Sequence, residues 1–423
     1  MTAQGIKQQM GPEPRGERLL SSGKRFAARP GLIARLIAPG FRKVLDRVDA
    51  GLETGSLFAH LPDGTTRLLG GRAPGFDVVV QLKDWRALLR LATGGAIGWF
   101  QAYEAGEWEA DDHAVLFALF SANVRTLGDT ARSSGPFKWA ARMAHRLNRN
   151  DKSGALRNIS AHYDLGNDFY AAWLDDSMTY SSAIGLSEAG PGDGLEAAQQ
   201  RKLEALTKRL GAPESVLEIG CGWGSLAEYL AGEGARVTAI SLSDEQLAWA
   251  RAHTSPEIDY RCLDYRDVTG TYDAIVSAEM AEALGREYWG AFMDAIARGL
   301  KPGGRAAIQY ISMAEDIFET YAATVDFIQA YVFPGGLLIK TSEFRALAEE
   351  RGLKWQDQSD FGRDYAETLA IWHRRFDRAV AEGRLPAGFD DRFVRLWRFY
   401  LTYCEGGFRA GNIDVHQVTL IKQ

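Results

Sequence analysis

From about residue 158 the chain alternates short apolar runs with amphipathic stretches. The pattern predicts a helix over 195–210, a strand over 215–219 and a second helix. Strands follow at 236–242 (RVTAISL), 259–264 (DYRCLD), 272–278 (YDAIVSA) and 304–312 (GRAAIQYIS), with helices over 243–252 and 286–299. Short apolar strands alternating with helices read as an α/β fold with a parallel sheet covered on both faces. Segment 313–340 breaks the alternation. It is aromatic-rich (FETYAATVDFIQAYVFPGG), is predicted helical, and either caps a pocket or adds ordinary core. Upstream, 55–82 shows apolar runs split by Asp-Gly and Gly-Gly turns, the signature of a hairpin and a further strand. Helical patterns follow it. The division expected is a polar, disordered N-terminus (1–24), a small N-terminal α/β domain associated with lipid or membrane (25–130), a basic linker (131–157) and a larger domain (158–423).

Composition changes this picture little. Of 423 residues, 46% are apolar and 25% charged, as in ordinary globular proteins. No run has the roughly 18 uncharged apolar residues of a membrane span, and the N-terminus has no signal-peptide core. The three cysteines, Cys221, Cys262 and Cys404, are far apart and suggest neither a disulfide framework nor a zinc site. A cytoplasmic location is expected. The net charge of −6 argues against nucleic acid as a partner. Two basic stretches, 24–47 and 137–158, carry interleaved apolar residues. They fit either an anionic membrane surface or a solvated helix face.

The first candidate chemistry lies in VLEIGCGWGSLAEYL (216–230). A strand ends in three alternating glycines, Gly220, Gly222 and Gly224, and a helix follows. The dinucleotide spacing G-x-G-x-x-G fails because its last position is Ser225, and the Gly-Lys-Ser/Thr of a phosphate-binding loop is absent. Alternating glycines let a ligand lie against the backbone. Glu218 at the strand end suits an ammonium group. These features point to S-adenosylmethionine. In open α/β sheets a ligand sits at the carboxyl ends of the strands. That places Ser241, Leu242, Gln246, Asp264 and Tyr265 around it, with Gln246 expected on the ribose and Asp264 and Tyr265 on the adenine. Each alone also reads as a helix cap or turn residue.

Five motifs in order, HYDLGNDFYAAWLDDSMTYSSA (162–183), LEIGCGWG (217–224), YVFPGG (331–336), FGRDYAETLAIW (361–372) and YLTYCEGGFRAGNIDVHQV (400–418), closely resemble the cyclopropane-fatty-acid synthase family. The resemblance covers roughly 158–423 and reaches more weakly into 83–120. It implies a Rossmann-like class I methyltransferase with a mostly parallel seven-stranded sheet beside a smaller N-terminal α/β domain. It implies methyl transfer from S-adenosylmethionine to the double bond of an unsaturated acyl chain. In bacterial members that chain belongs to a membrane phospholipid, so a peripheral position at the inner face of the membrane follows. Family members often dimerise. Tyr163, Tyr180 and Ser181 join the cofactor site by the same resemblance.

Methyl transfer to an alkene leaves a carbocation, and a base must then remove a proton. The family resemblance implies a bound bicarbonate as that base, held by a cysteine, a glutamate, a histidine, a tyrosine and backbone. Here the glutamate is Glu282 and the tyrosine is Tyr365. The cysteine position holds Ser182, the histidine position holds Gln309, and the Glu-His pair reads Glu282-Ala283. A neutral amide supplies no positive charge and relays no proton as histidine does. The departures therefore argue against bicarbonate as the family builds the site. Glu282 becomes the expected base, or the group that balances the cation. They also favour a methyl-branched or methylene product over a cyclopropane.

Overall fold

The computed structural model describes residues 15–22, 38–128, 165–188 and 194–423. Tyr163, most of the two basic stretches and the 131–157 linker lie outside the described residues.

Near the N-terminus, β1 (Ser56–His60) and β2 (Thr66–Gly70) form the expected hairpin. With β3 (Asp77–Leu82) and β4 (Trp108–Ala110) they make a four-stranded sheet of order β2-β1-β3-β4. β3 alternates buried and exposed positions, so Val78, Val80 and Leu82 face inward. The rest of the chain builds a seven-stranded sheet. Its strands are β5 (Ser215–Ile219), β6 (Arg236–Ser241), β7 (Asp259–Cys262), β8 (Tyr272–Ala278), β9 (Leu300–Met313), β10 (Leu353–Asp360) and β11 (Ile413–Lys422). The order is β10-β11-β9-β8-β5-β6-β7. The five strands β9 to β7 pair in parallel and β10 and β11 add antiparallel. This is the Rossmann-like arrangement expected.

Each central strand splits its side chains between two cores. Val216 and Val276 pack with Leu203, Leu206 and Leu226 on one face. Leu217 and Ile275 pack with Trp289, Phe292 and Phe344 on the other. A third, aromatic core joins the N-terminal sheet to the two long helices Gly362–Ala381 and Asp391–Arg409. There the Phe100 ring lies 5.0 Å from that of Phe327 and 5.1 Å from that of Phe399.

Three expectations are corrected. Residues 17–22, placed in a disordered N-terminus, form a helix whose Leu19 and Leu20 are buried, and Arg15 pairs with Asp168. Two consecutive leucines were too short a signal to stand out from a polar background. The helical reading of 313–340 holds only for a short helix, Phe318–Ala322, and a single π-turn, Ile328–Val332. The segment does both things expected of it: Tyr331 and Val332 enter the core, and Phe333 and Pro334 line the site cavity. β7 stops at Cys262, which frees Asp264 to cap the turn Tyr265–Asp267. Among the described residues no helix is long and apolar enough to cross a membrane.

Candidate active site

Strand order reverses beside β5. The chain goes from β5 out to β6 and β7, then crosses to β8 and β9 on the other side. Loops leaving β5 and β8 therefore diverge and leave a crevice at the carboxyl ends of the strands. One cavity fills this crevice. Glu218 at the end of β5 and Gly220 and Gly222 of the loop after it line the cavity, with Ser241 and Leu242 at the end of β6 and Gln246 on the following helix Asp244–His253. Asp264 and Tyr265 close one end, and Tyr180 and Ser181 the other.

Several polar atoms here are buried without a hydrogen-bond partner among the described residues: Glu218 Oε2, Gln246 Nε2 and Tyr265 Oη. Burial pushes the Glu218 carboxyl up to about 8, with the Lys202 ammonium opposing. Gly222 has positive φ (54°), and a Cβ there meets no atom within 4 Å, so the backbone faces open space. An acceptor for an ammonium, a donor for a ribose hydroxyl and a bare glycine backbone fit S-adenosylmethionine. Asp264 is less available than the sequence suggested. Its carboxylate is held by the Arg266 guanidinium (2.8 and 2.6 Å) and the Arg266 N–H. Gly224 does not line the cavity. It adopts φ 91° at the start of the helix Ser225–Gly232, and a Cβ there would overlap the Tyr260 hydroxyl and crowd Ala250. Its role is close helix packing.

The expected catalytic residues do not gather on Glu282. The Glu282 carboxyl does not line the cavity: Oε1 accepts the Ile311 N–H and Oε2 is buried without a partner among the described residues. Burial and the nearby Glu279 charge raise it to about 8, which favours its neutral form. Three of the expected positions converge instead on Glu279, three residues earlier. Glu279 Oε1 accepts the Ser182 backbone N–H (2.8 Å) and the Gln309 amide (2.7 Å). Glu279 Oε2 accepts the Tyr365 hydroxyl (2.7 Å). The Ser182 hydroxyl is not part of this ring, because it donates to the Ala183 carbonyl. Burial pushes the Glu279 carboxyl above its usual range, opposed by these three donors and by Lys202. Tyr365 is itself pushed far up by burial and by the Glu279 charge, so it remains a donor.

Backbone conformation places this carboxylate. Glu279 follows β8 directly and has φ 51°, a region a non-glycine residue rarely occupies and that costs about 1–2 kcal/mol. Its N–H donates to the Gln309 carbonyl at 2.9 Å, extending the β8–β9 pairing by one residue. The ring of donors that the resemblance assigned to bicarbonate is thus filled by a side chain of the protein, and these residues do not fit a bound bicarbonate.

Sequence reasoning missed Glu279 and Lys202. Glu279 stands first after a strand, where ligands of open α/β sheets bind, and that position was its signal. Lys202 gave none, since it reads as a polar residue of an amphipathic helix. In the structure it is 2% exposed, donates to the Ser181 hydroxyl (2.8 Å) and lines the cavity. Burial brings it down to about 8, against the attraction of Glu279, Asp175 and Glu218.

A parallel sheet with a glycine crevice, an acid at the end of β5 and open donors on the helix after β6 and the turn after β7 defines a class I S-adenosylmethionine-dependent methyltransferase. A profile of the mycolic acid cyclopropane synthetase family matches residues 150–418, and the chain belongs to that family. It is 35% identical over 391 residues to tuberculostearic acid methyltransferase UfaA1 of Mycobacterium tuberculosis (strain ATCC 25618 / H37Rv), covering 87% of this chain and 83% of that one. It is 32% identical over 356 residues to cyclopropane-fatty-acyl-phospholipid synthase of Escherichia coli (strain K12), covering 83% and 88%. The solved structure of mycolic acid cyclopropane synthase CmaA1 complexed with SAH and CTAB superposes with TM-score 0.58 at 27% identity, over 63% of this chain and 98% of that chain. The protein is an S-adenosylmethionine-dependent, lipid-modifying transferase.

Proposed function

We propose that this enzyme methylates the double bond of an unsaturated acyl chain carried on a phospholipid, and that its product is methyl-branched or methylene-bearing. The observation that carries the reading is the Glu279 carboxylate, enclosed among Ser182, Gln309 and Tyr365 beside the cofactor cavity. When bound, S-adenosylmethionine supplies an electrophilic methyl group. Glu218 would hold its ammonium, Lys202 with Ser181 would meet its carboxylate, and Gln246 would take the ribose. Attack by the alkene leaves a cation on the neighbouring acyl carbon. As the carboxylate, the form that its donors and Lys202 favour against the upward push of burial, Glu279 lowers the energy of that cation. A C–H bond then breaks, its electron pair stays with the acyl chain, and the proton goes to Glu279. Loss from a chain carbon leaves a methyl-branched alkene. Loss from the new methyl after a hydride shift leaves a methylene group, and its direct loss closes a cyclopropane.

A base tethered to the backbone reaches fewer positions than a free anion, and Gln309 offers no second proton carrier where the family has histidine. The likeness to a methyltransferase supports the same product. The likeness to a cyclopropane synthase favours the ring as the second reading.

Phospholipid would be met at the inner membrane face by a chain acting from the cytoplasm. Supporting this, the helix Ala38–Gly51 buries Phe41, Leu45 and Val48 in the protein and exposes Arg42, Lys43 and Arg47. Its apolar side is already occupied, so any membrane contact is through charge. A homodimer remains compatible with this reading.

The experiment is mass spectrometry of fatty acid methyl esters from cells rich in monounsaturated phospholipid, with and without the enzyme. All candidate products gain one methylene in mass, so hydrogenation follows. Uptake of hydrogen to a methyl-branched chain supports the proposal. A saturated ring that resists hydrogen refutes it in favour of the cyclopropane.

A further inference from the structure

A line of hydrogen bonds leaves the active site away from the cofactor. Gln309 and Gln417 are fully buried partners across the β9–β11 pairing. The Gln417 amide nitrogen donates to Gln309 Oε1 at 3.0 Å, and the Gln309 amide nitrogen donates to Glu279 Oε1 at 2.7 Å. At the far end, Arg209 Nε donates to Gln417 Oε1 at 3.3 Å. Arg209 is half-buried on the helix Leu195–Leu210 and lines an open pocket on the protein surface. It is anchored there by the Ser359 hydroxyl (2.7 Å) and the Asp357 carbonyl.

A guanidinium can only donate hydrogen bonds. Gln417 must therefore turn its oxygen outward and its nitrogen inward. Gln309 is then obliged to do the same. Each amide dipole points its positive end at Glu279. Glu279 Oε1 receives two N–H donors, from Gln309 and Ser182, so a proton there would displace one of them. Only Oε2 is left, and its single partner among the described residues is a hydroxyl that can turn to accept.

We propose that Arg209 and Gln417 are positioning residues that act through Gln309, holding Glu279 Oε1 as a fixed acceptor so that the substrate proton is received on Oε2. The proposal rests on Glu279 being the base. The other charged or titratable groups around Glu279 are Tyr365 on the helix Gly362–Ala381, Lys202 on the helix Leu195–Leu210 and Glu282 on its own loop. None of them is altered by the variants below.

The test is the pH profile of kcat for methyl transfer from labelled S-adenosylmethionine to dioleoyl phospholipid vesicles, with KM for each substrate. Gln417→Glu still accepts from Arg209 but has no N–H for Gln309. It should move the acid limb up by about one pH unit or more, because Gln309 then turns its amide nitrogen to the new carboxylate, so the Glu279 anion loses that donor and gains a negative neighbour. Because Gln417 is buried, Arg209→Met at the half-exposed end is the second variant. It should lower kcat about three- to tenfold and move the same limb upward, with both KM values unchanged, and Arg209→Lys should restore the limb. Lys208→Met removes an adjacent exposed cation outside the line and should leave the profile in place. A limb that stays at the wild-type pH in Arg209→Met overturns the proposal. Glu279→Gln separates the two levels: an active Glu279→Gln overturns the base assignment itself. An inactive Glu279→Gln beside an unmoved limb in Arg209→Met overturns only the line.

Discussion

Replacing Glu279 by Gln removes one charge and almost no volume. The amide oxygen can stay on the Ser182 N–H and the Gln309 amide, and the new NH2 faces the Tyr365 hydroxyl, which turns to accept it. Fold and cavity should survive, and Glu218 with the glycine backbone remains to hold the cofactor. What disappears is the proton acceptor and the charge opposite the acyl cation. A positioned base contributes about 10²–10⁴-fold, or about 3–5 kcal/mol of barrier at 1.36 kcal/mol per tenfold. Single-turnover transfer of labelled methyl to oleoyl phospholipid should fall by that factor, while cofactor binding by calorimetry changes less than about threefold, under 1 kcal/mol. A second readout comes from Glu282, whose carboxyl is held up partly by the Glu279 charge. In Glu279→Gln it should titrate below its wild-type value of about 8, visible as a shifted carboxyl band in infrared difference spectra. Turnover within about threefold of wild type would refute the assignment of Glu279 as the base.

Glu282→Gln should keep most activity, and it should stabilise the fold near neutral pH. A carboxyl raised to about 8 costs folding nothing below its unfolded value of 4.5 and an increasing amount as pH rises from there to about 8. The gain in Tm over wild type should therefore grow between pH 5 and 8, and a flat difference would show that the carboxyl is not neutral in the folded state. The kcat profile should be bell-shaped. Activity appears as Glu279 ionises, above the usual carboxylate range, and is lost as Lys202 gives up its proton at about 8. Lys202→Met should move the acid limb further up, since its charge helps keep Glu279 ionised; a limb moving down would contradict this. Gly222→Ala and Gly224→Ala should separate binding from folding. The first places a methyl in open cavity space and should raise the cofactor Kd with a stability loss of about 1 kcal/mol. The second collides with Tyr260 and should cost about 2–4 kcal/mol in chemical denaturation.

The strand-helix alternation after residue 194, the parallel core of the sheet and the crevice at β5 were legible in the sequence, because burial on both faces writes strands as continuous apolar runs. The helix Leu195–Leu210 and the strands β5 and β8 fall where the pattern put them. The glycine loop was legible for a similar reason, since few residues other than glycine accept the backbone that a ligand needs beside a strand end. Which glutamate serves the reaction was not. Glu279 and Glu282 sit three residues apart, and the place of Glu279 directly after β8 is the one local hint that separates them. The choice is made by a left-handed backbone at Glu279 and by donors from residues 182, 309 and 365, on three distant segments. Lys202 and Gln417 were equally silent, being ordinary polar residues of a helix and a strand until the fold buries them. Sequence determines what is repeated along an element, because each residue there is selected by burial on a regular period. The direction in which one carboxylate points depends on hydrogen-bond donors far apart in the chain, and only the tertiary structure brings those together.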